Sequence, residues 1–450
     1  MSDNSNDANS KKRALDDTEG SRGVTSVHSV TAPSLPKQKA QKVAATVFEN
    51  TDKYKKSIYS PIVWSRILPL LPEAAFMALS GASPRLMAVI RDYFSSCEKP
   101  ITISPYMEHF FKGKPVSWPG VKIVELIDVI SLSVFCDSVA SGQLLLPNVS
   151  TLIIRSCNID EVCSQKLASA AACFKLTALQ MNGNFISPEG VSGLVAVLER
   201  SRLTELHLWG NVIDKSGFTR VALWCEHLKG VESLLVGGHS REDSGGSLLQ
   251  FALPRLPSLT RLMISDVELD SQALGVCKAL EAKPGLLDFC MANCTFTRTG
   301  IHFVGRALKA LDKLTSLSII QCDFEENALQ EILKNLKGAE LKTLEVRGNA
   351  VVDTDAAGVM QLAANYPKLT AIDFSENSIT SAGAIQMCMS LKGPSSLQLL
   401  DLTDNNLDEE AVLFLKKALH DLDHPLTVKT SLCTMRHEGT TDSEFTKPTF

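Results

Sequence analysis

Long apolar runs are missing from this chain: no stretch approaches the roughly 18 apolar residues that cross a bilayer. The opening Met1-Ser2-Asp3-Asn4-Ser5-Asn6-Asp7 has neither the basic segment nor the apolar core of a secretory signal, so the cytoplasm or the nucleus is the expected compartment and no membrane partner is expected. Paired metal ligands are missing as well. Twelve cysteines, at 97, 136, 157, 163, 173, 225, 277, 290, 294, 322, 388 and 433, form no CxxC pair, and the histidines form no pair at zinc spacing. In such a chain scattered cysteines are expected to behave as small buried hydrophobes, and the Asn148 and Asn293 glycosylation matches are expected to stay unmodified. A charge excess of one sign is also lacking: Lys+Arg 45 against Asp+Glu 50 leaves a net −5, which disfavours nonspecific nucleic-acid binding. Phosphate loops, nucleophile elbows and H-E-x-x-H helices are absent too, so neither an enzyme, a cofactor nor a metal is expected.

Residues 1–56 are rich in Ser, Asp, Asn, Lys and Thr, a composition that cannot bury enough apolar surface to offset chain entropy, and a disordered tail is expected there. From Val149 onward a pattern L-x-x-L-x-L-x-x-N/C-x-L recurs. Its starts fall at Val149, Leu176, Leu203, Val231, Leu259, Leu286, Leu314, Leu341, Leu369 and Leu397, with spacings of 27 or 28 throughout. Fourteen positions after most starts comes a small residue, then apolar residues at plus 18 and usually plus 22, as in Gly190/Leu194/Leu198 and Gly300/Val304/Leu308. Leu-x-Leu alternates as a strand does, and apolar positions four apart share one helix face, so each unit is a strand followed by a helix.

This pattern resembles the leucine-rich repeat of the ribonuclease-inhibitor type. The resemblance implies an α/β solenoid, a horseshoe with a parallel inner sheet and outer helices, whose ten strands would make a sheet about 48 Å wide. Asn184, Asn211, Asn349, Asn377 and Asn405, with Cys157, Cys294 and Cys322, stand at the ninth position, where Asn would satisfy backbone groups at the strand's end. The expected organisation is a tail over 1–56, a small helical module over 57–98, degenerate first repeats and an N-terminal cap over 99–148, ten repeats over 149–424, and a cap with a polar tail over 425–450.

In the helical module, Pro61, Pro72-Glu73 and Ser83-Pro84 open three short helices. Its Ile67-Leu68, Leu70-Leu71-Pro72, Phe76 and Leu79 resemble an F-box, the module by which substrate receptors dock on the Skp adaptor of cullin-based ubiquitin ligases. Ser60 stands where that family begins Leu-Pro, and no Trp closes the third helix. The same segment also suits a cap that seals the first repeat.

In the repeat register the third, fifth and seventh positions project from the sheet, on its concave side, toward a ligand. They place Trp209, Leu235, Met263, Cys290 and Ile320 in an apolar strip with His207, Arg261 and Asp288 around it. Glu345, Asp373 and Asp401 form an acidic ladder with Arg347 beside it. An exposed aromatic at the centre of such a face suits a protein partner, and the ladder suits a basic one. The expected function is a non-enzymatic interaction protein, a monomer within a complex, that holds another protein on this face, with the Skp adaptor and a cullin as further partners. Alternatives are a structural scaffold or a Ran-type GTPase activator. The latter are built on the same repeat type but carry a long acidic C-terminal segment with no counterpart in Glu438–Phe450. The polar loop His239–Gly246 is expected to be a mobile rim.

Overall fold

The computed structural model describes residues 100–103, 115–211, 228–238, 246–267, 273–322, 328–336, 340–363, 365–390, 396–420, 422 and 425–436. All of them lie in the unit Lys55–Phe450. The F-box-like residues Ile67, Leu68, Leu70, Leu71, Pro72, Phe76 and Leu79, the tail 1–56 and most of the loop 239–246 fall outside the described residues.

The strands are β1 (Ile101–Ile103), β2 (Val116–Ser117), β3 (Ile123–Leu126), β4 (Leu144–Leu145) and then, at repeat spacing, β5 (Thr151–Ile154), β6 (Ala178–Gln180), β7 (Glu205–His207) and β8 (Ser233–Gly237). They continue with β9 (Arg261–Ser265), β10 (Asp288–Ala292), β11 (Ser316–Ile320), β12 (Thr343–Arg347), β13 (Ala371–Asp373), β14 (Leu399–Asp401), β15 (Thr427–Lys429) and β16 (Thr434–Arg436). Among the described residues, fourteen of these make one sheet in chain order, parallel from β1 to β15 and closed by the antiparallel β16, while β2 and β4 pair separately. Between strands run α1 (Val129–Ala140), α2 (Glu161–Ala171), α3 (Pro188–Arg200), α4 (Gly246–Ala252) and α5 (Ala273–Glu281). The later helices are α6 (Arg298–Leu308), α7 (Ala328–Lys334), α8 (Asp353–Ala363), α9 (Ser381–Ser390) and α10 (Glu409–His420). The fold is an α/β solenoid in which a long parallel sheet alternates with helices.

One repeat cannot bury its own apolar face, so the core is continuous along the stack. The fourth and sixth positions, among them Leu152/Ile154, Leu262/Ile264 and Leu344/Val346, are fully or almost fully buried, while β5 and β12 alternate half-buried and buried residues as a one-sided strand must. Position twelve supplies a helix N-cap: the side chains of Asp160, Ser187, Thr297 and Asp408 accept the N–H three residues on, from Cys163, Gly190, Gly300 and Ala411. The Asp160 carboxyl is thereby held below its ordinary value. The small residue at position fifteen has a steric cause. A Cβ on Gly190 would stand 2.2 Å from the Ile159 carbonyl oxygen, because the start of α3 is pressed onto the turn of the preceding repeat.

Position nine ties neighbouring repeats together. Asn184 Oδ1 accepts the Cys157 N–H at 3.0 Å while its Nδ2 donates to Ile154 O at 2.7 Å, and Asn211 Oδ1 accepts the Asn184 N–H in turn. The same ladder runs through Asn349, Asn377 and Asn405. Where cysteine stands there, the thiol makes longer contacts: Cys294 Sγ lies 3.8 Å from Ile264 O and Cys322 Sγ 3.6 Å from Met291 O. Burial pushes the Cys157, Cys277 and Cys388 thiols up to about 12, far from the thiolate that a nucleophile or metal ligand needs. Among the described residues no group of three His, Cys, Asp or Glu could hold a metal ion, and no helix is long and apolar enough to cross a membrane.

Candidate functional site

Strand pairing aligns the fifth position of successive repeats. Gln180, His207, Leu235, Met263, Cys290, Ser318, Glu345, Asp373, Asp401 and Lys429 are successive register partners from β6 to β15, so one column runs along the sheet. Sharing a column does not give these side chains the same exposure. Trp209 is 38% exposed, and Leu235, Met263, Ile320, Glu345 and Asp373 are half-buried.

Two residues of the expected strip and ladder, Cys290 and Asp401, are buried. Cys290 has no exposed surface and forms a floor with the short, buried side chains of Ser316, Ser318 and Ala292, so its thiol cannot meet a ligand. Asp401, at 6%, is already satisfied locally. Its Oδ1 accepts both the backbone N–H of Thr403, at 3.1 Å, and the Thr403 hydroxyl, and Lys429 Nζ stands 3.7 Å from Oδ2. Asp373 does the same for its own strand by accepting the Ser375 N–H at 2.9 Å. An Asp side chain that takes the N–H two residues on competes with the next strand for it. β13 and β14 end at these Asp residues, and β6 and β7 end at the same position at Gln180 and His207, whereas β8 to β12 each run five residues. Arg347 Nη2 lies 2.5 Å from Glu376 Oε1, and that bond raises the guanidinium pKa, with Asp373 and Glu345 adding to it. The Glu345 Oε2 accepts the Ser318 hydroxyl at 2.9 Å.

The middle of the sheet is built differently. Trp209, at the seventh position, stands two residues past the end of β7, its backbone N–H donating to Asn182 Oδ1 at 3.1 Å. Its indole crosses the whole of the next repeat, and Nε1 donates to Asp266 Oδ2 at 2.6 Å. The Ser265 hydroxyl donates to the same oxygen at 2.6 Å. Gly237 and Gly238 make this reach possible. Both have positive φ, 134° and 64°, and a Cβ on Gly238 would lie 3.1 Å from the indole nitrogen. On Gly237 a Cβ would stand 1.7 Å from Ser265 O. Beside this shelf His207, 8% exposed, places Nε2 3.2 Å from Glu205 Oε1, and Gln180 Nε2 donates to Glu205 Oε1 at 2.7 Å. Burial pushes the His207 pKa down and Arg261 lowers it further, against the pull of Glu205. Burial raises the Asp288 carboxyl, against the Thr315 hydroxyl bond and Arg261. Asp266 was invisible to the repeat register because it stands at the eighth position, 57 residues from its partner; the signal was the Gly-Gly pair that replaces the usual turn.

Comparison with known proteins agrees with the register. A family model described as "Leucine Rich repeat" matches residues 172–195. Among curated relatives, the mouse NACHT, LRR and PYD domains-containing protein 4E is 21% identical over 305 residues, 65% of this chain and 31% of the mouse protein. Pig ribonuclease inhibitor is 24% identical over 202 residues, 43% of this chain and 44% of the pig protein. The chain thus spans less than half the length of either relative. Similar solved structures include an internalin from Listeria monocytogenes, with 16% identity, 77% of this chain and 91% of that one covered, and a TM-score of 0.37. Another is a TLR13–ssRNA13 complex, with 17% identity, 71% and 44% covered, and a TM-score of 0.38. With its repeat register, its parallel sheet flanked by one helix after another and this family match, the chain is a leucine-rich repeat protein.

Proposed function

We propose that this protein is a non-enzymatic binding solenoid that holds a protein partner on the open face of its sheet, centred on Trp209, Leu235 and Met263 and reaching to Ile320 and Glu345. The observation that carries this is Trp209, whose indole is fixed at its nitrogen while the residue stays 38% exposed. A large aromatic immobilised beforehand loses little entropy on binding, which is what an interface anchor requires. The likeness to pig ribonuclease inhibitor, a protein named for its action on another protein, supports the reading. Cys290, Asp373 and Asp401 are left out of this footprint because burial or local bonds occupy them. The test is affinity capture with W209A/M263A: loss of the partner with the thermal midpoint nearly unchanged is expected, and undiminished capture would end the reading.

The finer assignment, a ubiquitin-ligase receptor of the cytoplasm or nucleus that docks on a Skp adaptor through residues 60–94, rests on the sequence resemblance alone. L70D/L71D is expected to lose the adaptor and keep the sheet-face partner; retention of the adaptor would overturn it.

A further inference from the structure

We propose that Trp209 and Asp266 form a clamp for an arginine side chain presented by an extended basic segment of the protein partner. The proposal rests on the sheet-face reading above and specifies what the partner must carry. Three observations support it.

The indole is held edge-on to a carboxylate, with Nε1 2.6 Å from Asp266 Oδ2, while 38% of the residue remains open to solvent. A guanidinium laid on that ring gains both a cation–π contact and a carboxylate partner, and its planar shape suits stacking in a way a compact ammonium does not. Secondly, among the described residues the hydrogen bonds received by Asp266 both go to Oδ2, from Trp209 and from the Ser265 hydroxyl, and the residue is exposed. The carboxyl is thus oriented by its neighbours before any ligand arrives. The nearest cation on its own strand, Arg261, stands five residues back, about 16 Å along β9, and acts instead on His207 and Asp288. Thirdly, Leu235 and Met263 are half-buried register partners two positions before Gly237 and Ser265, about 7 Å along their strands. They offer an apolar bed for the methylene stem that precedes the guanidinium. The Glu345 carboxylate lies three strands beyond Asp266 and level with Met263, about 17 Å away, within reach of a second basic residue five or six positions along an extended segment.

The test uses the full chain and an octapeptide of alternating Arg and Gly, followed by tryptophan fluorescence and calorimetry. Its citrulline counterpart keeps the shape and loses the charge, its lysine counterpart keeps the charge and loses the plane, and an oligothymidylate of similar length is the nucleic-acid arm. The arginine peptide is expected to bind, the lysine peptide several-fold and the citrulline peptide at least about tenfold more weakly. D266N keeps an acceptor for Trp209 and Ser265 but removes the charge, so it is expected to retain the thermal midpoint and lose at least about tenfold in arginine-peptide affinity. Equal binding of the citrulline peptide, undiminished binding by D266N, or preference for the oligothymidylate would overturn the clamp. If D266N captures the physiological partner normally while W209A/M263A loses it, the clamp fails and the sheet-face reading stands; if neither variant loses it, both fail.

Discussion

The middle repeats and the last three share one register and one sheet, yet they are finished at their turn edge by different chemistry. From repeat eight onward, amides at position nine hand hydrogen bonds from one repeat to the next through Asn349, Asn377 and Asn405, and aspartates at position five cap their own strands in the last two. In the middle that ladder is interrupted by Val267, Cys294 and Cys322, and the indole of Trp209 reaches Asp266, two repeats on, over two glycines. The aspartates of the last two repeats are consumed in capping their own strands. In the middle Asp266 holds an aromatic side chain open to solvent. The difference teaches that carboxylates lined up in sequence are not thereby available to a ligand, whereas a side chain tied at one edge remains available on its face.

Removing an amide from the last repeats breaks the comparison most severely. Asn377 accepts two N–H groups and donates to Val346 O and Phe374 O from a buried site, so N377A is expected to cost about 3 to 5 kcal/mol in denaturant unfolding. A loss under about 1 kcal/mol would show that the ladder is not what ties these repeats. The aspartate caps come next: D373A/D401A is expected to lower stability by about 1 to 2 kcal/mol and leave partner capture intact, since each removes one local N–H acceptor. C322N would make the middle resemble the end. Its amide would meet the Met291 and Ile320 carbonyls that the thiol now approaches at 3.6 and 3.4 Å, and a gain of about 1 kcal/mol is expected. No gain, or a loss, would mean that the middle repeats lack room for the amide.

The smallest expected effect concerns pH. His207 is held below its ordinary pKa by burial, so the unfolded chain takes up a proton first; the corresponding stability is present above about pH 6.5 and is lost as pH falls below that value. H207Q is expected to flatten the fall of the unfolding midpoint as pH drops below about 6.5. An unchanged slope would assign the loss to another group.

Much of this architecture was legible because the leucine spacing carries the physics directly: two apolar positions facing inward on each strand, then two on each helix, in phase every 27 or 28 residues. Leu152, Leu262 and Leu344 lie buried at the fourth position of their strands, and the fifth-position column from Gln180 to Lys429 follows from that phase. The exposure of each member of the column did not follow. Register tells which way a side chain leaves the backbone, and Cys290 leaves correctly but is too short to clear the face. Asp401 leaves correctly and folds back onto Thr403. The Trp209–Asp266 bond depends on positive φ at Gly237 and Gly238 and on a neighbour two repeats away, information that no single repeat contains.

The most direct test of the central claim is partner capture by W209A/M263A beside D373N/D401N, each checked for an unchanged melting temperature. The account expects the first pair to lose the partner and the second to keep it; loss in the second with retention in the first would move the binding surface to the last repeats and contradict it.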